Sequence, residues 1–324
     1  MRLRPGQYLA TILVVLSLNF FLPRMIPGNP LAQLDNPQAM PVPLSAEQRD
    51  AVMAYYGLDK PLAAQYGDYL AALARGDLGW SISYKAPVVQ VLAARLRWTL
   101  LLVGVATALY VTLGLVLGAV SAWRRGSALD SGLLAATLGL GSFPSYVLAM
   151  LLIVVFAVKL RALPLGGARS AALLGAAWHV QALDVARHMV LPVAALVLTS
   201  LADVYYLTRG ALVQVLGDPY ITVARAKGLT ERHLLFRHAL PNALLPVLSL
   251  VAVRLGHVVM GAMMVEVAFA YPGMGAAIVE ASVSRDYPLL QGAFLVTMLS
   301  VLGTNLLADL LYSALDPRLR ARAC

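Results

Sequence analysis

The chain has 324 residues, of which 60% are hydrophobic and only 13% charged, against roughly 45–50% and about 25% in a soluble domain. That composition excludes an ordinary soluble enzyme and puts the chain in the membrane class. The formal net charge of +9 fits a membrane surface better than nucleic acid, because the basic residues bound apolar runs, and the one cysteine, Cys324, permits neither an intrachain disulfide nor a thiolate metal cluster.

A bilayer core of about 30 Å needs roughly 20 apolar residues as helix. Six runs qualify, at about residues 8–26, 98–123, 129–158, 188–207, 244–270 and 289–315. The first follows Arg2 and Arg4 and has the outline of a signal peptide. No small-x-small site comes after it, only Pro27-Gly28-Asn29-Pro30, so residues 1–26 read as an uncleaved N-terminal anchor.

Residues 27–97 form the one sizeable non-membrane segment. Pro27, Pro30, Pro37, Pro41 and Pro43 make its start irregular. A short helix is predicted over 45–56, with Ser45 as N-cap and Gln48 completing a capping box. A second is predicted over 61–74, before Gly76-Asp77-Leu78-Gly79. The segment is too short and too poor in strand pattern for an independent catalytic domain, and suits a lid or docking surface.

In the second run, Gly114 and Gly118 have the small-xxx-small spacing that lets helices approach closely. In the third, Pro144 with Gly139 and Gly141 predicts a break or kink. The fourth carries Asp203, the fifth Arg254, His257 and, near its outer end, Glu266, and the sixth Asp309. A charge at such depth is costly unless it is paired or faces a water-filled cavity. Asp203 and Arg254 fall at similar depths, and two readings stay open for them: a structural ion pair, or a gate or substrate contact.

Lys and Arg near the span ends favour both termini inside. The inside set is then Arg2, Arg4, Arg124, Arg125, Arg209, Arg225, Lys227, Arg232, Arg237, Arg318, Arg320 and Arg322. The outer loop 159–187 is basic too, with Lys159, Arg161, Arg169 and Arg187.

Between the fourth and fifth runs lies a basic, finely punctuated island. Asp218 is a strong N-cap type and Pro219 suits the first helical turn, where a missing N–H costs nothing. Gly228 suits the left-handed position that ends a helix. Thr230 can cap a second helix, which is expected to stop near Leu240 because Pro241 disfavours α geometry in the residue before it. The apolar positions Leu234, Leu235, Phe236 and Ala239 make no clean stripe, so periodicity does not choose the buried face. Such an island is a poor place for chemistry and a good place for a second protein to push.

Here the sequence resembles a family. Ala224-Arg225-Ala226-Lys227-Gly228-Leu229, followed by Arg232, Arg237 and Leu240-Pro241, is similar to the coupling loop of ATP-binding-cassette (ABC) importer permeases, in the wording of the peptide branch. Thr222 and Val223 stand where the general motif has Glu and Ala. Gly57-Leu58-Asp59-Lys60-Pro61, Gly76-Asp77-Leu78-Gly79, Phe143-Pro144-Ser145, Leu163-Pro164 with Gly166, Val265-Glu266, Tyr271-Pro272-Gly273-Met274-Gly275, Asp286-Tyr287-Pro288 and Asp316-Pro317-Arg318 resemble the first permease subunit of dipeptide and oligopeptide importers, in the same order.

The resemblance implies an all-α polytopic membrane protein in the cell membrane, with six transmembrane helices. Residues 1–26 would be the anchor, 27–97 the extracytoplasmic segment and 98–324 a five-helix permease core of the small ABC-importer type, with its coupling loop at 209–245. The implied partners are a second homologous permease, two ABC ATPase subunits, an extracytoplasmic solute-binding protein and the lipid bilayer, with no nucleic acid. ATP and Mg would be bound by the ATPases and no cofactor by this chain. Nickel and glutathione permeases share these motifs, so the machinery is more sharply implied than its substrate.

The sequence has no Gly-x4-Gly-Lys-Ser/Thr loop, His-Glu-x2-His, Gly-x-Ser-x-Gly or Cys-x2-Cys. No catalytic residue and no metal ligand set is therefore expected. The rival from another class is an ion-coupled secondary transporter, which calls for two repeats with discontinuous spans; the sequence shows no such repeat.

Overall fold

The computed structural model describes residues 5–25, 47, 53–54, 59–244, 247, 250–251 and 258–315. The chain divides into two compact units, Met1–Arg97 with Ala276–Leu299, and Trp98–Gly275 with Ser300–Cys324. The expected helix over 45–56 lies largely outside the described residues.

The first unit contains α1 (Pro5–Met25), α2 (Leu62–Ala74) and a hairpin of two-residue strands, β1 (Trp80–Ser81) and β2 (Ala86–Pro87), paired antiparallel with Ser81 opposite Ala86. Pro61 is the N-cap of α2, as its fixed φ favours. Phe20 of α1 is fully buried, with the rings of Tyr66 and Tyr69 at 5.2 and 5.4 Å. Asn19 donates to Tyr69 Oη at 3.1 Å and to the Gln291 carbonyl at 2.9 Å. The buried carboxylate of Asp286 organises the hairpin: Oδ2 accepts from Ser81 Oγ at 2.6 Å and the Ser83 N–H at 2.9 Å, and Oδ1 from the Leu289 N–H at 3.1 Å. The motif at 76–79 meets the motif at 286–288 here, since a Cβ on Gly79 would sit 3.7 Å from Pro288 Cβ.

The second unit takes most of α3 (Val88–Trp123), followed by α4 (Ala128–Gly141), α5 (Ser145–Leu152, continued as a π-helix Ile153–Lys159) and α6 (Trp178–Leu216). Then come two short helices, α7 (Pro219–Ala226) and α8 (Glu231–His233, continued as a π-helix Leu234–Ala239), and α9 (Val258–Ala268). Helices α10 (Met274–Ser284) and α11 (Tyr287–Leu315) are the last described elements. The core of this unit is apolar and rich in small residues, including Leu102, Ala106, Ala149, Ala195, Val204 and Ala262.

Among the described residues, α3 and α6 are each long and apolar enough to cross a membrane. The helix expected over 188–207 is 39 residues long, because its polar ends continue the same ladder past the apolar stretch. The span expected over 129–158 is not straight. Its two halves, Ala128–Gly141 and Ser145–Lys159, are bent by 95°. Pro144 adopts an extended geometry (φ −57°, ψ 139°) as N-cap of the second half; a proline there cannot donate into the preceding ladder. Shorter apolar stretches lie at Ile12–Phe21, Met274–Ser284 and Tyr287–Gly303.

Gly114 and Gly118 hold α3 against α6. A Cβ on Gly114 would lie 2.7 Å from Val204 Cβ, and one on Gly118 would lie 2.8 Å from both Thr208 Cβ and the Tyr205 carbonyl. The spacing seen in the sequence is therefore a packing device. Gly118→Leu is expected to destabilise the protein by about 1–3 kcal/mol, the usual range for overpacking. Gly104→Leu on the same helix, where an added Cβ meets nothing within 4 Å, should be near neutral. Thermal midpoints of the two purified variants check this, and equal midpoints would mean that the helices do not touch at Gly118.

Candidate functional site

The island between α6 and α9 folds as two short helices joined by a tight turn. Asp218 occupies the N-cap of α7 with extended backbone (ψ 144°), but its side chain makes no capping hydrogen bond. Position and Pro219, rather than the carboxylate, start this helix. Its end is a Schellman turn. The Gly228 N–H donates to the Arg225 carbonyl at 3.0 Å and the Leu229 N–H to the Ala224 carbonyl at 3.4 Å. Gly228 has φ +81° and nothing within 4 Å of an added Cβ, so glycine is required there by conformation and not by space. Arg225 clamps the turn from outside: Nε donates to Glu231 Oε1 at 2.7 Å and Nη2 to Oε2 at 3.2 Å. That pair holds the Glu231 carboxyl below its ordinary range.

Thr230 caps the second helix, accepting from the His233 N–H at 3.4 Å. The expected stop near Leu240 does not occur: the helix runs through Pro241 to Leu244. The turn ahead of the proline widens instead, with the Leu240 N–H donating to the Leu235 carbonyl, five residues back. A π turn shifts the ladder so that a proline ring and its missing N–H can be passed. Asn242 Nδ2 adds a bond to the His238 carbonyl at 2.9 Å and one to Tyr220 Oη at 3.0 Å, tying α8 to α7.

The π turn also explains the missing stripe. The buried residues are Leu234 and Ala239, five apart, followed by Ala243 and Val247 at spacings of four. Leu234, Ala239 and Ala243 form one apolar seat with Ile221 of α7, Leu212 of α6 and Ala122 of α3; Ala224, Leu229 and Leu235 pack around it. The outward face carries Thr222, Ala226, Lys227, Arg232 and Arg237, all exposed, with Tyr220 41% and Val223 54% exposed. Among the described residues, no carboxylate pairs with Lys227, Arg232 or Arg237; Arg225 pairs with Glu231.

The intramembrane charges have separate fates. Glu266 is fully buried. Its Oε1 accepts from Thr99 Oγ1 at 2.6 Å and its Oε2 from the Gly275 N–H at 2.7 Å, while Thr99 Oγ1 accepts from the Met274 N–H at 2.7 Å. A Cβ on Gly273 would overlap this carboxylate, and one on Gly166 would overlap the Phe269 carbonyl, which accepts the Gly167 N–H at 2.7 Å. The neighbouring motifs at 265–266 and 271–275 thus close around one buried carboxylate solvated by backbone and hydroxyl, and the distant motif at 163–166 packs against the Phe269 carbonyl between them. Asp203 is exposed on α6. Asp309 lies on α11. Arg254 lies outside the described residues, and with it the expected pairing with Asp203.

One buried ion pair is not anticipated by the sequence reading. Asp130, 3% exposed, takes a two-pronged contact from Arg209, Nε to Oδ1 at 2.7 Å and Nη2 to Oδ2 at 2.8 Å. Ser121 Oγ and the Gly126 N–H also donate to Asp130, and Ser121 Oγ bonds Tyr205 Oη at 2.7 Å. The available signal is Ser127-x-x-Asp130, a capping pattern in which the Asp130 N–H reaches Ser127 Oγ at 3.2 Å. The pair joins the start of α4 to α6 about two turns before α6 ends.

Residues 114–321 match the family described as binding-protein-dependent transport system inner membrane component. The chain is 34% identical over 334 residues to the dipeptide transport system permease protein of Escherichia coli (strain K12), covering 98% of this chain and 97% of that one. It is 35% identical over 311 residues to the glutathione transport system permease protein of Pectobacterium atrosepticum, covering 96% and 95%. It is 33% identical over 310 residues to the oligopeptide transport system permease protein of Bacillus subtilis (strain 168), covering 95% of each.

The turn at Gly228 generates a prediction. Gly228→Val should strain the αL position by about 1–2 kcal/mol, while Gly228→Asn, which tolerates that geometry, should be close to wild type. Limited proteolysis of the island in membranes measures this, with faster cleavage expected for Val only. Equal cleavage of Val, Asn and wild type would remove conformation as the reason for the glycine.

Proposed function

The chain belongs to the family of inner membrane components of binding-protein-dependent transport systems, and from that premise we propose that it is a permease subunit of an ATP-driven importer of di- and oligopeptides. Full-length relatives named for dipeptides, oligopeptides and glutathione support this substrate class, since glutathione is itself a tripeptide. Ion-coupled secondary transport has no place in this family.

In the proposed assembly a second homologous permease completes the path. Two ATPase subunits dock on the cytoplasmic side, where both termini of this chain also lie, and a solute-binding protein delivers substrate from outside. ATP and Mg belong to the ATPases. The exposed face of α7 and α8 enters a groove on one ATPase, with Tyr220 and Val223 as apolar contacts and Lys227, Arg232 and Arg237 as cations.

The observation that carries this reading is the asymmetry of the island. One face is sealed onto the ends of α3 and α6 through Leu234, Ala239 and Ile221, and the other presents exposed cations, without a carboxylate partner among the described residues, beside exposed apolar side chains. A push on the outer face is passed to the spans as a rigid-body displacement.

Arg232→Glu and Arg237→Glu test it, because both side chains are exposed and neither supports the seat. At least one is expected to weaken ATPase association roughly ten- to a hundredfold, the worth of about 1.5–3 kcal/mol for a hydrogen bond to a charged group. Co-purification of the second permease should persist. Normal ATPase retention in both variants would contradict docking through these cations.

A further inference from the structure

Helix α8 and its continuation have a second apolar face beside the seat, with Leu235 at the border of the two. Phe236, Leu240 and Leu244 line one wall of an apolar cleft of about 420 Å³, and Val116 and Val120 of α3 line the other. Phe236 is 65% and Val116 55% exposed. One cation, Arg124, stands in the lining. Among the described residues Arg124 has no carboxylate partner, in contrast to Arg209 and Arg225. Trp123, a residue type enriched at membrane–water interfaces, lies beside it in the lining.

We infer that this cleft binds one anionic phospholipid, with an acyl chain between α3 and the coupling helix and the headgroup phosphate on Arg124. The lining chemistry selects the occupant. A helix from a protein partner would satisfy the apolar walls but would leave the arginine without an anion, whereas an anionic lipid satisfies both at once. Size agrees, since the volume lies within the roughly 300–1,000 Å³ of small-molecule sites. Basic pockets between membrane helices on the cytoplasmic side bind acidic headgroups for this reason. The inference rests on the cytoplasmic placement of the island proposed above. The lipid would lie against α8 beside the seat, since Ala119 and Leu235 border both, so occupancy would brace the coupling helix against α3.

The experiment uses the whole assembled transporter, delipidated in detergent and returned to nanodiscs of phosphatidylcholine with or without phosphatidylglycerol. Native mass spectrometry counts retained lipid, and ATPase activity is read in parallel. Wild type should retain phosphatidylglycerol in preference to phosphatidylcholine. Arg124→Gln should lose about fivefold in that preference, as one basic contact to an anionic surface implies. Val116→Trp, which fills the cleft from an exposed position, should lose retention altogether while the complex still assembles. No headgroup preference in wild type, or wild-type retention in both variants, would overturn the proposal. So would a cross-link from Val116→Cys to a partner subunit, which would show protein in the cleft. Normal ATPase retention in Arg232→Glu and Arg237→Glu, with the lipid preference intact, would count against the docking reading and leave this site standing.

Discussion

The seat formed by Ile221, Leu234, Ala239 and Ala243 on Leu212 and Ala122 is the contact on which the rest depends. It is small and dry, and it lies where two long apolar helices end. Ile221, Leu234 and Ala239 have no exposed surface. Burying an Ile or Leu side chain contributes about 1.5–3 kcal/mol, so apolar contact fastens the two-helix island to α3 and α6 by several kcal/mol, with no ion pair at the joint among the described residues. Polar contacts act at its edges: Arg225 with Glu231 bridges the turn, and Asn242 ties the two helices together. The face proposed for docking takes no part in the seat.

The second constraint is the cost of polar groups in an apolar setting. The structure meets it in two ways. Asp130 receives a bidentate arginine, a serine hydroxyl and a backbone N–H, and Glu266 receives a threonine hydroxyl and the N–H at the start of a helix. In each case one acid collects donors from separate parts of the chain and so fixes their arrangement. The family motifs around Gly166, Glu266 and Gly273 are legible in this light as parts of one node. The glycines are there because the backbone must come within contact of the carboxylate or of a carbonyl.

Much of this was readable from the sequence where the determinant is local. Pro219, Gly228 and Thr230 mark their helix ends by backbone chemistry confined to a few residues, and the structure has them in those roles. Gly114 and Gly118 advertise close packing by spacing alone. Pro144 forecasts the break in the third run, though not the 95° bend, which depends on what each half packs against. Pro241 misled because the rule that helices stop before proline assumes an α ladder. A π turn evades it, and the same turn moves the buried side chains to a spacing of five, so no 3.6-residue stripe was there to be found. Asp130 was hidden because its partner, Arg209, is 79 residues away; Ser127 and Ser121, which complete the site, are ordinary residues in sequence. Local signals survive in one dimension, while convergence of distant groups does not.

The central claim is that α7 and α8 move as one body with the span ends beneath them. Spin labels at Arg232→Cys and Arg125→Cys, both exposed positions, measure the separation of the island from the end of α3 in the assembled transporter. The account predicts an unchanged distance within this chain between nucleotide-free and ATP-bound states, while the distance from residue 232 to a label on the second permease shifts. A change within the chain, with the inter-subunit distance constant, would mean that the island hinges on its seat, and would contradict the account.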